Sequence, residues 1–148
     1  MDTIDLTILS ILKEDARTPL KEIQEKVYLS VPAISARIAA MKKSGVLTAF
    51  TVQLDPYQLG YQFKAFISVD VPPEKRAAFE AFAFESANVM ECCRMAGAPS
   101  MLLKVTFFNM DELNDYMNRL EQYGKANAQI AIATSFPPRG VPLPPAKE

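Results

Sequence analysis

The chain has 148 residues, room for one average domain or two small ones, and 49% of them are hydrophobic, enough for packed cores and too many for a disordered polymer. Sixteen Lys and Arg against seventeen Asp and Glu leave a net charge of −1, which excludes a basic protein that holds nucleic acid by bulk charge alone. With no His and two Cys, histidine triads, histidine proton shuttles, zinc sites and a disulfide framework are excluded, and no metal or other cofactor is expected.

The acidic start, Met1 to Asp5, is unlike a signal peptide, and no apolar run approaches the ~20 residues that cross a bilayer. A cytoplasmic protein without membrane contact is expected. In the first segment Ile4, Ile8, Leu9, Ile11 and Leu12 recur at helical spacing, with Asp2 and Asp5 in the first turn, where the helix dipole favours them. A second helix is predicted from Thr18 as N-cap and Pro19 in the first helical position, with Leu20, Ile23 and Val27 as its stripe. A very short connection, Tyr28 and Leu29, leads to Ser30, a second N-cap. Val31, Ile34, Ile38 and Met41 then repeat helically up to Gly45. Two short helices joined so tightly are the mark of a helix-turn-helix. The β-rich run Val46–Leu54 is expected to form the hairpin of a wing, broken by Asp55 and Pro56. Residues 1–54 thus read as a winged helix-turn-helix domain and 55–62 as a linker.

From residue 63 the rhythm changes. Ala65, Ile67, Val69 and Val71 alternate as a strand that Pro72 and Pro73 end, and residues 74–86 read as a helix with Phe79 and Phe82 inward. Val89–Ala96 is a second strand, Gly97, Ala98 and Pro99 a turn, and Ser100–Phe108 a third strand. Asn109 with Glu112 three residues on forms a capping box for a helix striped by Leu113, Met117 and Leu120 and stopped at Gly124. Ala128, Ile130, Ile132 and Thr134 alternate as the last strand. The order β-α-β-β-α-β over 63–136 is the ferredoxin-like unit, a four-stranded antiparallel sheet with both helices on one face. Nothing in the chain remains to cover its other face, so a homodimer is expected. The adjacent Cys92 and Cys93 point to opposite faces of a strand and read as small packing residues rather than a redox pair. The tail 137–148 holds five of the eleven prolines and should run extended, solvated or draped over a partner.

Several of these residues resemble the feast/famine, or Lrp/AsnC, transcriptional regulators. They are Asp2, Asp5, Ile8, Leu9 and Leu12, then Asp15, Ala16 and Arg17, then Leu29, Ser30, Arg37 and Ile38. Gly45 and Val46, Leu54, Asp55 and Pro56, and Leu59 and Gly60 continue the series. Val89, Glu91, Cys92, Gly97, Leu102, Leu103, Lys104, Val105, Thr134 and Ser135 extend it through the second half. The match runs collinearly over about residues 2–135; each short motif is weak and the full series is strong. The resemblance implies a DNA-binding winged helix-turn-helix joined to a ligand-sensing, dimer-forming domain of RAM type. It implies assembly as dimers and higher oligomers such as octamers, and response to an amino acid or another small molecule.

The second helix of such a unit normally enters the major groove. Here it spans residues 30–44 and offers Ser30, Pro32, Ala33, Ser35, Ala36, Arg37, Lys42 and Lys43 towards double-stranded DNA. Three basic residues and no acid lie in that window, +3 against −4 for the rest of the chain. Arg37 is the only forked donor there, suited to a guanine or a phosphate, with a surface ion pair as its plainer role. The alanines give close approach and thymine-methyl contacts but little hydrogen-bond readout, so specificity is expected to lean on DNA shape and multivalency. Tyr28 stands where the family usually has Gly; a left-handed conformation there would cost a tyrosine about 1–2 kcal/mol.

By the same resemblance the effector site would involve Gly97, Ala98, Pro99 and Ser100 with Thr134 and Ser135. Family members carry an Asp, which helps bind the effector's α-ammonium, where this chain has Ser100. A serine has no charge to pair with an ammonium, which leaves two readings open: a different ligand, or a structural dimer contact. The alternative to an operator-specific regulator is an architectural protein that compacts DNA with little sequence preference. A small ferredoxin-like enzyme finds no support in a chain with no His, no carboxylate cluster and five glycines in no G-x-G pattern.

Overall fold

A computed structural model describes residues 1–145. The chain divides into two compact units, Met1–Gln53 together with the tail from Pro137, and Leu54–Phe136.

In the first unit α1 (Thr3–Glu14), α2 (Leu20–Val27) and α3 (Val31–Lys43) surround one small core. Asp2 is the N-cap of α1 and forms a reciprocal capping box with Asp5. The Asp2 carboxylate accepts the Asp5 N–H at 2.8 Å, and the Asp5 carboxylate accepts the Asp2 N–H at 3.1 Å. Helix α2 begins one residue later than the sequence predicts. Pro19 is the N-cap, its carbonyl accepting the N–H groups of Glu22 and Ile23, because the Thr18 hydroxyl is turned back to the Asp15 carbonyl at 2.8 Å. Tyr28 closes α2 in the left-handed conformation, φ 55°, and is the only non-glycine residue with positive φ among the described residues. Such a conformation costs a bulky residue about 1–2 kcal/mol. Ser30 caps α3, accepting the Ala33 N–H at 3.4 Å, and Gly45 (φ 76°) follows its end. The core joins Ile8, Leu9, Ile11 and Leu12 to Ile23, Val27, Ile34 and Met41, with Ile38 partly buried against them.

The wing hairpin does not form. Residues 46–54 contain no strand, and Val46, Phe50, Val52 and Leu54 are exposed. The run has β propensity but no turn of its own to fold it back and no neighbouring strand in the unit, and an extended segment without a partner leaves its ladder unmade. The tail is extended, as expected, but is not simply solvated. The Lys13 ammonium donates to the Val141 carbonyl at 2.9 Å, the Gln53 amide donates to the Pro138 carbonyl at 3.3 Å, and Leu143 packs against the helical core.

The second unit is the ferredoxin-like sheet, in the order β2-β3-β1-β4 and antiparallel throughout. Its strands are β1 (Phe63–Asp70), β2 (Val89–Arg94), β3 (Met101–Phe107) and β4 (Lys125–Ala131), and its helices α4 (Arg76–Glu85) and α5 (Met110–Leu120). Proline breaks the start of the fourth helix into a separate 3-10 turn, Pro73–Lys75. The predicted capping box is reshaped: Asn109 accepts the Glu112 N–H at 2.9 Å, but Glu112 reaches back to the N–H of Phe108, one residue earlier. Ala65, Ile67 and Val69 of β1 and Met101, Leu103, Val105 and Phe107 of β3 are buried beneath Phe79, Ala83, Leu113, Tyr116 and Leu120 of the helices. Gly124 lies against the chain at Asp70, where a Cβ would overlap the Asp70 carbonyl. Strand β4 stops at Ala131, short of Ile132 and Thr134. Ala131 pairs with Lys64, next to the first residue of β1, so beyond it β1 offers only Phe63 to extend the ladder, and Ile132 is fully exposed. Cys92 and Cys93 do point to opposite faces, but on the edge strand, Cys92 exposed and Cys93 half-buried, so they pack little.

Candidate nucleic-acid interface and effector turn

Burial of Ile34 and Met41 fixes which side of α3 looks outward. Pro32, Ser35, Ala36, Ala39, Ala40, Lys42 and Lys43 are exposed and Ala33 is half-buried. That surface carries small side chains from the N-cap as far as Ala40, then ends in two cations at the carboxyl end of the helix, where the dipole also favours them. The Lys42 ammonium lies 5.7 Å from the centre of the Phe50 ring. There is no acidic residue in the first turn of α3.

Arg37 is placed differently from its neighbours. Its Nη1 donates to Asp2 Oδ2 and to Asp5 Oδ1, both at 2.7 Å, and only 32% of its side chain is exposed. The guanidinium therefore ties α3 to the capped end of α1, and its charge is answered twice over. The N–H of Asp5 and then Arg37 hold the Asp2 carboxyl below its ordinary range, because both favour the ionised form. Of the +3 read from residues 30–44, the part not paired with a carboxylate among the described residues is carried by Lys42 and Lys43.

In the second unit the turn between β2 and β3 is held by Ser100. Its hydroxyl accepts the Val71 N–H at 3.0 Å and donates to the Val71 carbonyl at 3.1 Å, while the Met95 N–H donates to the Ser100 carbonyl at 2.8 Å. The side chain is a clip between two turns, with its one donor already engaged. Gly97 takes φ 106°, open to solvent with Ala98 and Pro99. Thr134 is elsewhere: its hydroxyl accepts from the Lys64 ammonium at 2.6 Å, beside the start of β1, and Ser135 is exposed next to it. Ser100 sits beside the other end of β1, about 20 Å away along the strand. One chain does not bring the six predicted effector residues together. An open groove of about 720 Å³ between α4 and β2, lined by Phe84, Val89, Cys92 and Met101, adjoins the turn and is crossed by the Glu80–Arg94 pair at 2.6 Å. No sequence signal marked it, since its walls come from two separate elements. Burial raises the Cys92 thiol and a hydrogen bond to Glu91 raises the Cys93 thiol, so neither is an activated nucleophile.

A three-helix unit with an exposed, cationic third helix, followed by a four-stranded antiparallel sheet, is the arrangement of a two-part DNA-binding regulator. Residues 1–48 match the winged helix-turn-helix DNA-binding family and residues 64–140 the Lrp/AsnC ligand binding domain. The chain is 30% identical to the transcriptional regulator LrpB of Bacillus subtilis over 132 residues, 89% of each chain, and 26% identical to LrpC of the same organism over 133 residues, 90% of this chain and 92% of that one. The solved structure of B. subtilis LrpC superposes with a TM-score of 0.84 at 25% identity, covering 90% of this chain and 96% of that one. A Neisseria meningitidis transcriptional regulator solved with L-Met shares the fold, with a TM-score of 0.87 at 23% identity, covering 96% of each. The chain belongs to the Lrp/AsnC family of transcriptional regulators, a family of DNA-binding proteins and not of enzymes.

Proposed function

We propose that α3 docks in the major groove, presenting Ser30, Pro32, Ala33, Ser35 and Ala36 to the bases and sugars and Lys42 and Lys43 to phosphates. The carrying observation is the exposed face itself: small side chains let the backbone approach closely, and the cations follow at one end. Arg37, already bound by two carboxylates, acts as a brace that sets the angle of α3 against α1 rather than as a reader of guanine. With no forked donor left, base readout is poor, and discrimination comes from DNA shape and from several helices binding at once. The same observation favours, as second reading, compaction of DNA with little operator preference.

Several copies come from the open face of the sheet. Phe66 and Leu102 lie there half-buried among Lys64, Lys104 and Glu91, and a second copy covers them. Because Ser100 and Thr134 lie far apart within one chain, an effector held by both must sit between copies. The saturated Ser100 clip favours a ligand other than one anchored by its ammonium, or a structural contact at that turn. A cytoplasmic location accords with a DNA-binding role; among the described residues no helix is long and apolar enough to cross a membrane.

Footprinting on genomic fragments against excess random competitor tests the reading. Protected sites that survive competitor, with Lys42→Ala and Lys43→Ala each lowering the salt slope of binding by about 0.9, are expected. Uniform coverage of all DNA establishes the compacting alternative, and absence of binding at any salt refutes both.

A further inference from the structure

Tyr28 presents a contradiction within the folded chain. It adopts the left-handed conformation that a glycine would take without strain, yet its side chain is 90% exposed. Among the described residues its hydroxyl has no hydrogen-bond partner, and its ring stacks on no other. The backbone at this position serves the fold, since the Tyr28 N–H closes α2 on the Gln24 carbonyl at 2.9 Å and the chain then turns directly into α3. The aromatic side chain contributes nothing to that turn. Strain that the folded chain does not offset locates a residue whose gain lies outside the chain.

The position says what lies outside. Tyr28 is two residues before Ser30, the N-cap of the helix assigned above to the major groove, and it projects from the turn that must flank the DNA backbone when that helix is seated. The amino end of α3 carries the positive end of the helix dipole and no acidic residue in its first turn. A phenol is a neutral donor that can reach a phosphate oxygen, and its stiff ring places that donor at small entropic cost.

We infer that Tyr28 is a DNA-backbone contact, its hydroxyl donating to a phosphate oxygen beside the amino end of α3. It would position the recognition helix without reading sequence. The inference rests on the assignment of α3 to DNA, and the experiment separates the two.

Binding to a short random-sequence duplex is measured as a function of salt for the wild type and for Tyr28→Gly, Tyr28→Phe and Lys43→Ala, with thermal melts of each protein. Tyr28→Gly is expected to melt at or above the wild-type temperature, because glycine relieves the strain, and to bind roughly tenfold more weakly. Tyr28→Phe should lose as much affinity as Tyr28→Gly while melting like the wild type. Both should keep the wild-type salt slope, because a neutral donor displaces no counterion, whereas Lys43→Ala should flatten it. If the wild type binds and Tyr28→Phe binds equally well, this inference is overturned and the assignment of α3 stands. A lower melting temperature for Tyr28→Gly also overturns it, since the ring would then be serving the fold. A wild type that binds no DNA overturns the assignment of α3 and this inference together.

Discussion

The helix-turn-helix unit closes its core with eight buried side chains from three short helices, whereas the sheet unit buries thirteen between four strands and two helices. Of the eleven largest fully buried side chains, three isoleucines lie in the first unit and the other eight in the second. Apolar burial is the main favourable term in folding, so the sheet holds itself together with margin. The first unit spends most of α3 on an outward face of small residues and makes up the difference with polar ties: the Asp2 and Asp5 capping box, the Arg37 brace and the returning tail. A small domain that must present a surface keeps less of its chain for its core.

The strongest way to break this contrast is at the sheet. Phe79→Ala removes a fully buried ring that α4 packs onto the sheet and should cost about 3–5 kcal/mol, read from chemical denaturation as loss of the more stable transition. An equal loss in the first unit would mean that the two do not melt separately. Next, Ser100→Ala strips both partners from the part-buried Val71 N–H and carbonyl and should cost the sheet about 1–3 kcal/mol. If the variant is as stable as the wild type, the clip is not structural. Leu143→Ala should lower the first unit alone by about 1–2 kcal/mol, because this half-buried side chain covers the helical core. Hydrogen exchange resolves it: faster exchange in α1 with unchanged protection in β1 and β3 is expected, and unchanged α1 protection contradicts the role of the tail.

The smallest effect concerns pH. The Asp2 carboxyl titrates below its ordinary value of 3.8 in the folded protein, so its contribution to the first unit is complete above that value and is lost as the pH falls through the lower folded value. Arg37→Met removes the second of these causes, leaving the backbone N–H groups of Asp5 and Ile4. The acid-side loss of stability in the first unit should then be smaller and be complete at higher pH than in the wild type, seen in melts from neutral to acidic pH. Superimposable acid limbs would show that the brace is not coupled to Asp2.

Much of the architecture was legible locally. Ile34 and Met41 at helical spacing, the Ser30 cap, alternation in Ala65, Ile67 and Val69, and Asn109 before Glu112 each state their element within a few residues. The wing was misread because alternation at Phe50, Val52 and Leu54 records propensity, and a strand also needs a neighbour to pair with. The candidate interface was half legible. The linear window 30–44 found the cations but could not see that Asp2 and Asp5, 35 and 32 residues before Arg37, answer one of them.

Periodicity, caps and turn residues act between neighbours in the chain, and from them alone follow the order of helices and strands, the ferredoxin-like sheet and a helix-turn-helix with alanines facing out. Tertiary structure alone decided the rest: that Arg37 is a brace, that the tail returns to α1, that Ser100 is a clip about 20 Å from Thr134, and that Tyr28 is strained yet exposed. Each of these depends on which distant groups meet or fail to meet, and a charge or a hydroxyl carries no mark in sequence of the partner that will use it.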